Sequence, residues 1–457
     1  MVYLSDERLI HVISGSASRF HLKRSGSSIG RMDLINPAGP APISRRSIGI
    51  AAFSTVVEWY DFTLYLYVAT ILSRVFFGGG ARSLAAVLAG FAIAYLMRPL
   101  GAIFFGHIGD RFGRRRMMLG SVALMTAAML ATALLPTRAQ VGPAAGGLLL
   151  LLRCVMGFAV GGEYNGVVAY LMEGAPPQRR GLVTSLAAAA SEVGGLLAVG
   201  VSAVTVASIA APALEAWGWR IPFLGGAALA GAVWVARSMI DESPDYQRQQ
   251  AAGTVPRHPL RHALAHHRAG IARGFAISAL GSITYYVGIG YVPTFLTSVG
   301  RMGEGLSLWL ATIAAVAVIL VTPLVGLAAD RWGRRPVLVV LALLAAALPI
   351  TMFGWMASGS AGVALGGAVV LALVAGGVSA VGAVATAEQL AGEGRLTGLA
   401  LGATGATAIF GGLTPWTAQV MVARTGWPAV PGLMIALVAV AVLPVLLTLP
   451  ETAPRRI

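Results

Sequence analysis

Charged residues are scarce in this sequence, and their scarcity excludes a water-soluble globular protein. Of the 457 residues, 11% are Asp, Glu, Lys or Arg, whereas 57% are hydrophobic. A soluble domain carries about a quarter charged residues, so this chain has too few to cover a water-facing surface. Its solvent must be lipid, in which only helices and closed barrels satisfy the backbone. Long unbroken apolar runs, as at residues 338–356, favour helices over the short alternating strands of a barrel.

Cysteine and acidic residues are also few. The single cysteine, Cys154, excludes an intrachain disulfide. The 18 acidic residues face 33 basic ones, and the net charge is +15. In a soluble protein this excess would suggest nucleic-acid binding. Here the basic residues cluster in every other loop between apolar runs, as Lys and Arg do on the cytoplasmic side of a membrane. We therefore expect no nucleic-acid partner, and a multi-pass protein of the bacterial inner membrane with both termini cytoplasmic.

The apolar runs fall into two sets of six, each run long enough for a membrane span of roughly 20 residues. A polar stretch with several prolines and histidines separates the two sets. The sequence therefore predicts an all-α membrane protein of twelve transmembrane helices in two six-helix bundles. The predicted segments are a mobile cytoplasmic tail at 1–46, the bundles at 47–240 and 270–450, a cytoplasmic linker at 241–269 and a cytoplasmic tail at 451–457.

An internal repeat relates the two halves. Residues 106–115 read GHIGDRFGRR and residues 326–335 read GLAADRWGRR, an offset of 220 (326 − 106) at every position. A second, looser repeat follows each loop. Glu173 precedes Arg180 by seven residues in the first half, and Glu388 precedes Arg395 by seven in the second. Charge-assisted bonds within such a cluster can lock one conformation. A second reading, in which the arginines are only topology signals, is weakened by the matched copies. The predicted gating residues are Asp110, Arg111, Arg114, Glu173, Arg180, Asp330, Arg331, Arg334, Glu388 and Arg395.

We expect Glu173 and Arg180, and likewise Glu388 and Arg395, to be partners in this cluster. Both acidic residues lie after an apolar run, and each arginine begins the next one.

The doubled loop resembles the signature of the major facilitator superfamily. Three further stretches, LMRPLGAIFFGHIGDRFGRR (96–115), GFAVGGEYNG (157–166) and AIFGGLTP (408–415), resemble its metabolite:proton symporter family. That family includes transporters of citrate, 2-oxoglutarate, shikimate, and betaine or proline, and the resemblance looks closest to the citrate and tricarballylate branch. It implies the major facilitator fold and symport with protons. The turn at 387–395 lacks the proline that the family usually has, so we expect a looser contact there.

Charges inside the spans are costly in lipid and are therefore candidates for function. Glu58 and Asp61 are three residues apart and share one face of the first helix. Two carboxylates so close resist ionising together in a low dielectric, so one should hold a proton near neutral pH. The predicted proton-coupling residues are Glu58, Asp61, Glu163 and Glu192. Internal ion pairing with arginines remains the alternative for any one of them.

Four other residues are candidates for substrate binding. Arg98 and Arg153 can receive a carboxylate by a two-point contact, which suits arginine better than lysine. Tyr285 and Tyr286 lie too deep in their span for the nearer aromatic belt. We favour a cavity role for one of the two, since neighbouring residues on a helix point about 100° apart.

The leading prediction is a proton-coupled importer of a small organic acid that acts by alternating access, as a monomer embedded in the bilayer. One alternative is a proton symporter of a zwitterion such as betaine or proline, and another is a non-transporting membrane sensor. Nothing in the sequence indicates an enzyme or a cofactor. The linker histidines His258, His262 and His266 are spaced for a metal, but Pro259 should interrupt a helix there, so we predict no metal site.

Overall fold

The computed structural model describes residues 44–390 and 392–454, and every regular element in this part of the chain is a helix. Most of the predicted N-terminal tail, residues 1–43, lies outside the described residues. The helices of the first half are α1 (Arg45–Tyr67, followed by the short helix Ala69–Phe77), α2 (Ala81–Phe112), α3 (Arg114–Ala133), α4 (Ala144–Gly174), α5 (Arg180–Ser208) and α6 (Arg220–Ser238). The helices of the second half are α7 (Arg268–Gly290 with Val292–Ser298), α8 (Glu304–Trp332), α9 (Arg334–Ala347 with Pro349–Met356), α10 (Ala361–Glu388), α11 (Arg395–Thr425) and α12 (Val430–Leu447).

Eleven of these twelve helices are apolar and long enough to cross a membrane. Nine of the described helices are each a single apolar span. The helices α7 and α9 each consist of two pieces bent by 42°, and they bring the number to eleven when each pair of pieces is taken as one span. The twelfth is α1, which has 23 residues but carries Glu58 and Asp61 in its middle. Two carboxylates lower the hydropathy of a span, so α1 is the helix that a hydropathy test alone does not detect.

Buried apolar side chains form three clusters. One lies within the N-terminal bundle and a second within the C-terminal bundle. The third lies at the end of the molecule that carries the two repeat loops, and it contains side chains of both halves. The outer surface is apolar as well, since Trp309 and Trp416 are each 69% exposed. Such an exterior fits a protein whose solvent is lipid.

The bundles approach each other closely where α5 crosses α8. A Cβ atom added to Gly326 would lie 2.7 Å from the carbonyl oxygen of Gly181, and one added to Gly181 would lie 2.6 Å from that of Gly326. No larger residue fits at either position without a shift of backbone. The two halves are therefore in direct backbone contact near the repeat loops.

Two short helices, Pro244–Ala252 and Pro259–His266, form the linker between the halves. Pro259 begins the second of these helices, so His258 lies outside the helix that carries His262 and His266, as the sequence predicts. Proline suits the first helical position, where its missing N–H has no intrahelical acceptor. As a result, the rings of His262 and His266 stack 4.4 Å apart. The second linker helix packs against the start of α11.

Candidate functional site

Each repeat-loop aspartate binds the start of a helix in the other bundle. Asp110, near the end of α2, accepts hydrogen bonds from the backbone N–H groups of Leu396 and Thr397 at 3.2 and 2.9 Å. Asp330, near the end of α8, accepts two bonds of 2.8 Å from the backbone N–H groups at the start of α5. The N-terminus of a helix carries partial positive charge and unpaired donors, so both contacts are favourable. They join the bundles in two symmetric places.

Glu173 is the centre of a buried ion cluster beside the first repeat loop. Arg114 donates to its carboxylate at 3.2 and 3.3 Å, and Arg395 donates at 2.5 Å from the other bundle. Arg395 also bonds Asp245 of the first linker helix at 2.9 Å. The linker therefore contributes directly to the contact between the two halves.

The symmetric cluster around Glu388 is looser. Arg334 donates to its carboxylate at 3.3 Å, whereas Arg180 of the other bundle lies 3.8 Å away and is 30% exposed. The predicted partners are exchanged: Glu388 faces Arg180, and Glu173 faces Arg395. The reason is that the start of α5 packs on α8 and the start of α11 packs on α2, so each arginine reaches across the boundary.

The remaining two residues predicted in this cluster lie apart from it. Arg111 and Arg331 are exposed, and no residue of the described chain forms an ion pair with either. Each follows a buried aspartate directly, so its side chain leaves on a different face of the helix.

Two acidic residues that the sequence did not single out complete the repeat loops. Glu242 accepts a bond of 2.9 Å from the backbone N–H of Arg114, and Glu451 accepts one of 2.9 Å from that of Arg334. Both carboxylates thus cap the helix that follows a repeat loop. Burial raises the pKa of the Glu242 carboxyl above its usual value. Each residue follows the last helix of its bundle. This equivalent position in the two halves is the sequence feature from which both could have been predicted.

A cavity of about 160 Å³ lies between the bundles. Among the described residues, its charged lining consists of Glu58 on α1, Arg98 on α2 and Glu192 on α5. Uncharged polar and aromatic side chains of both halves complete this central cavity: Trp59, Tyr164, Asn165, Ser191, Ser278, Ser282, Tyr285, Tyr286, Ser379, Thr386, Thr404 and Thr407. The cavity is small beside the roughly 300–1,000 Å³ of a pocket for a drug-sized molecule, so it suits a compact ligand.

Arg98 is held firmly in the wall of this cavity. Its guanidinium donates to Glu58 at 2.6 Å and to the hydroxyl of Tyr95 at 3.3 Å. The same group lies 4.6 Å from the ring centre of Tyr95 and 5.5 Å from that of Phe62. The charge of Arg98 is therefore already balanced by a carboxylate and by aromatic faces.

Three hydrogen bonds join the bundles beside the central cavity. The pairs are Tyr285 with Glu192, Tyr95 with Tyr286, and Asn165 with Thr404 at 2.7 Å. Both Tyr285 and Tyr286 line the cavity, whereas the sequence favoured one of them. The backbone from Tyr286 to Gly290 is a π-helical turn, a feature that is frequent at functional sites.

Asp61 and Arg153 form a separate pair. The two nitrogens of Arg153 donate to the two carboxylate oxygens of Asp61 at 2.8 and 3.2 Å. Both side chains line a smaller cavity of about 30 Å³ and lie outside the lining of the larger one. Because Asp61 and Glu58 each have their own arginine, the expected repulsion between two unscreened carboxylates is absent.

Glu163 lies in the core of the N-terminal bundle, outside the lining of either cavity. It accepts a bond of 3.0 Å from Arg237 near the end of α6 and one of 2.5 Å from Ser121. Arg237 was not singled out in the sequence. Of the four predicted proton-coupling residues, the structure brings Glu58 and Glu192 to the central cavity.

Comparison with known proteins identifies the family. The profile described as Sugar (and other) transporter matches residues 48–255, and that of the Major Facilitator Superfamily matches residues 301–457. The Ectoine/proline transporter ProP of Corynebacterium glutamicum is 32% identical over 428 residues, which cover 88% of this chain and 83% of that protein. This chain belongs to the metabolite:proton symporter family of the major facilitator superfamily. The Alpha-ketoglutarate permease of Escherichia coli is also 32% identical, over 373 residues, or 80% of this chain and 85% of the permease.

The fold of a major facilitator is confirmed by a solved structure. The proton:xylose symporter XylE, bound to 6-bromo-6-deoxy-D-glucose, superposes with a TM-score of 0.75 at 19% identity, over 89% of this chain and 96% of that one. The predicted all-α membrane protein of two six-helix bundles is therefore confirmed. The predicted family is confirmed by the two relatives that are 32% identical. The chain is therefore a proton-coupled transporter and not an enzyme. It is a multi-pass protein of the inner membrane.

The described lining of the central cavity presents carboxylates, one arginine, one amide, hydroxyls and aromatic rings. Within residues 44–390 and 392–454, no group of three or more His, Cys, Asp or Glu side chains is arranged to hold a metal ion.

Proposed function

We propose that this transporter imports a small zwitterionic osmolyte, of the betaine, proline and ectoine kind, together with protons. The charge of the central cavity carries the proposal. Its lining has two carboxylates, Glu58 and Glu192, and one arginine, Arg98, which Glu58 already neutralises at 2.6 Å. A di- or tricarboxylate would add two or three negative charges to this wall. A zwitterion adds no net charge, so it avoids that repulsion.

The aromatic wall supports the same substrate class. The rings of Trp59 and Tyr285 lie 5.1 Å apart, and those of Tyr285 and Tyr286 lie 5.5 Å apart, all beside the cavity. The faces of such rings attract a positively charged nitrogen. The family relative from Corynebacterium glutamicum is named for ectoine and proline, both of which are zwitterions at neutral pH.

A small organic acid, the leading prediction from the sequence, is the second candidate. The presence of Arg98 in the cavity favours it, because a guanidinium binds a carboxylate by two parallel bonds. The relative named Alpha-ketoglutarate permease belongs to the same family. An organic acid would have to displace Glu58 from Arg98, however, or to enter with Glu58 protonated.

The proton-coupling residues in this proposal are Glu58 and Glu192. Both are buried in the wall of the central cavity, and Glu192 also accepts a hydrogen bond from Tyr285 of the other bundle. A proton on Glu192 would remove a buried charge and change this bond between the bundles. Asp61 and Glu163 are held by Arg153 and Arg237, and we assign them to the support of the N-terminal bundle.

Alternating access then requires the repeat-loop contacts to break and re-form. We place the repeat-loop end, the linker and both termini in the cytoplasm, because the basic residues concentrate there. The contacts of Asp110, Glu173 and Asp330 with the opposite bundle hold that end closed. These residues form the cytoplasmic gate, which opens when substrate and proton have bound.

A thermal-shift screen of the purified full chain tests the substrate class. Betaine, proline and ectoine are compared with citrate and 2-oxoglutarate at equal concentrations, and a ligand that binds the folded protein raises Tm. We expect a concentration-dependent rise with at least one zwitterion and none with the di- and tricarboxylates. A rise with citrate or 2-oxoglutarate alone would contradict the proposal.

A further inference from the structure

Three residues that line the central cavity each carry a buried polar atom that has no hydrogen-bond partner among the described residues. The atoms are Oε2 of Glu58, Nε1 of Trp59 and Oγ1 of Thr386. Leaving such a group buried and unpaired costs free energy, so native proteins seldom do it without a reason. A ligand that enters the cavity can supply the missing partners.

Oε2 of Glu58 and Nε1 of Trp59 need opposite kinds of hydrogen-bond partner. Arg98 donates to the other carboxylate oxygen of Glu58 at 2.6 Å, so Oε2 of the ionised side chain is an acceptor that lacks a donor. The indole nitrogen of Trp59 is a donor only. These residues are neighbours on α1 and both line the cavity. Together they match a ligand that has an N–H donor and a carboxylate acceptor.

Three pairs of polar side chains beside this cavity are already engaged with one another. Glu192 bonds Tyr285, Tyr286 bonds Tyr95, and Asn165 bonds Thr404 across the bundles. Oε2 of Glu58 therefore obtains a hydrogen bond only if the substrate nitrogen carries a hydrogen to donate.

This inference rests on the proposed function. We infer that, within the proposed class, this cavity prefers zwitterions whose cationic nitrogen carries hydrogen, such as proline, over those with a quaternary nitrogen, such as betaine. A secondary ammonium group can donate to Oε2 of Glu58, whereas a quaternary group has no hydrogen to donate. Attraction to the aromatic faces is available to both kinds of cation, so it does not discriminate between them. A site built to hydrogen-bond its ligand rejects the analogue that lacks the donor, because the protein group is then buried unpaired.

A methylation series on the wild-type protein tests this inference without any mutation. Proline, N-methylproline and N,N-dimethylproline share the ring and the carboxylate, and their nitrogens carry two, one and no hydrogens. Binding to the purified full chain is measured by calorimetry at one pH. We expect Kd to rise by about tenfold or more between proline and the dimethyl compound.

Two substitutions separate the roles of Glu58 and Trp59. In Glu58→Gln, the side-chain oxygen should stay with Arg98 and the amide nitrogen should face the cavity, so the three compounds should bind with similar Kd. Trp59→Phe keeps an aromatic face but removes the N–H donor, so it should weaken the binding of all three compounds by a similar factor. Glu215→Gln and Trp416→Phe, on exposed residues, are the matched controls and should leave the series unchanged.

The outcomes distinguish this inference from the function on which it rests. Equal binding of proline and N,N-dimethylproline to the wild-type protein would overturn the inference, while the proposed transport of zwitterions would stand. Binding of citrate or 2-oxoglutarate without binding of any zwitterion would overturn both. Should Glu58→Gln fail to fold, the wild-type series alone decides.

Discussion

Glu173 in the N-terminal bundle accepts a hydrogen bond of 2.5 Å from Arg395 in the C-terminal bundle, and both side chains are buried. The symmetric pair, Glu388 and Arg180, is 3.8 Å apart, and its arginine is 30% exposed. The two sides of the proposed gate therefore differ in strength. Breaking a buried pair leaves a charge without water or partner, whereas an exposed pair is readily replaced by solvent.

Arg395→Gln should consequently open the cytoplasmic end more than Arg180→Gln. We expect the first change to shift the equilibrium toward the open state by on the order of 3 kcal/mol, and the second by less than about 1 kcal/mol. The measurement is alkylation of a cysteine at Ser379, which lines the central cavity, by an impermeant reagent in inside-out vesicles. Cys154→Ser provides the background, since Cys154 is the only native cysteine. Equal labelling of the two variants would contradict the proposed asymmetry.

The caps formed by Glu242 and Glu451 should both contribute to stability. Each carboxylate accepts bonds from the backbone at the start of a helix, at 2.9 Å for the shorter bond in both cases. Glu242→Gln and Glu451→Gln should each lower the free energy of unfolding by about 1 kcal/mol. Thermal melting in detergent provides the measurement, with Glu215→Gln as the exposed control. A loss at only one of the two positions would show that the caps are not equivalent.

Glu192→Gln should uncouple transport from the proton gradient. The neutral amide imitates the protonated acid, and its oxygen can still accept from Tyr285, so the cavity should still bind substrate. In proteoliposomes we expect exchange of substrate across the membrane to persist while accumulation driven by a pH gradient is lost. Tyr285→Phe is the control, because it removes the hydrogen bond between the bundles but keeps the carboxyl group of Glu192. Accumulation at the wild-type level in Glu192→Gln would exclude Glu192 from coupling.

Acidification should loosen the second linker helix. Burial, together with the neighbouring His266 and His267, lowers the pKa of His262, while Glu393 and Asp110 act in the opposite direction. The docked helix thus binds fewer protons than the undocked one, so docking is undisturbed above the usual histidine pKa of about 6.5 and weakens as the pH falls below it.

Hydrogen exchange of the amides in Pro259–His266, corrected for intrinsic rates, is the measurement. We expect faster exchange at about pH 5.5 than at about pH 7.5. His262→Gln should remove most of the difference, and His258→Gln, at an exposed position, should retain it. The same pH dependence in both variants would show that His262 is not the responsible group.

The repeat loops could be predicted because their chemistry is encoded locally. Asp110 and Asp330 stand in the same motif at an offset of 220, and each binds a helix start in the opposite bundle. The exchange of partners between Glu173 and Glu388 could not be predicted in this way. Arg180 stands seven residues after Glu173, and Arg395 stands seven residues after Glu388. Only the packing of the two bundles decides which carboxylate each arginine meets.

The cavity was less accessible to sequence reasoning than the gate. Its buried charges were detectable, because Glu58, Arg98 and Glu192 are costly in lipid. Trp59 and Tyr95 were missed, since aromatic residues are common in membrane spans and packing alone explains most of them. Arg153 has the chemistry of a substrate ligand, but its bidentate bond to Asp61 depends on how α4 packs on α1.

The central claim is that a net-neutral molecule crosses the membrane together with protons, and the current that accompanies transport tests it most directly. A zwitterion carried with one proton moves one positive charge inward. Proteoliposomes adsorbed to a solid-supported electrode should therefore give an inward positive current when proline is added, and none with citrate or 2-oxoglutarate. A current with citrate or 2-oxoglutarate and none with any zwitterion would contradict the account.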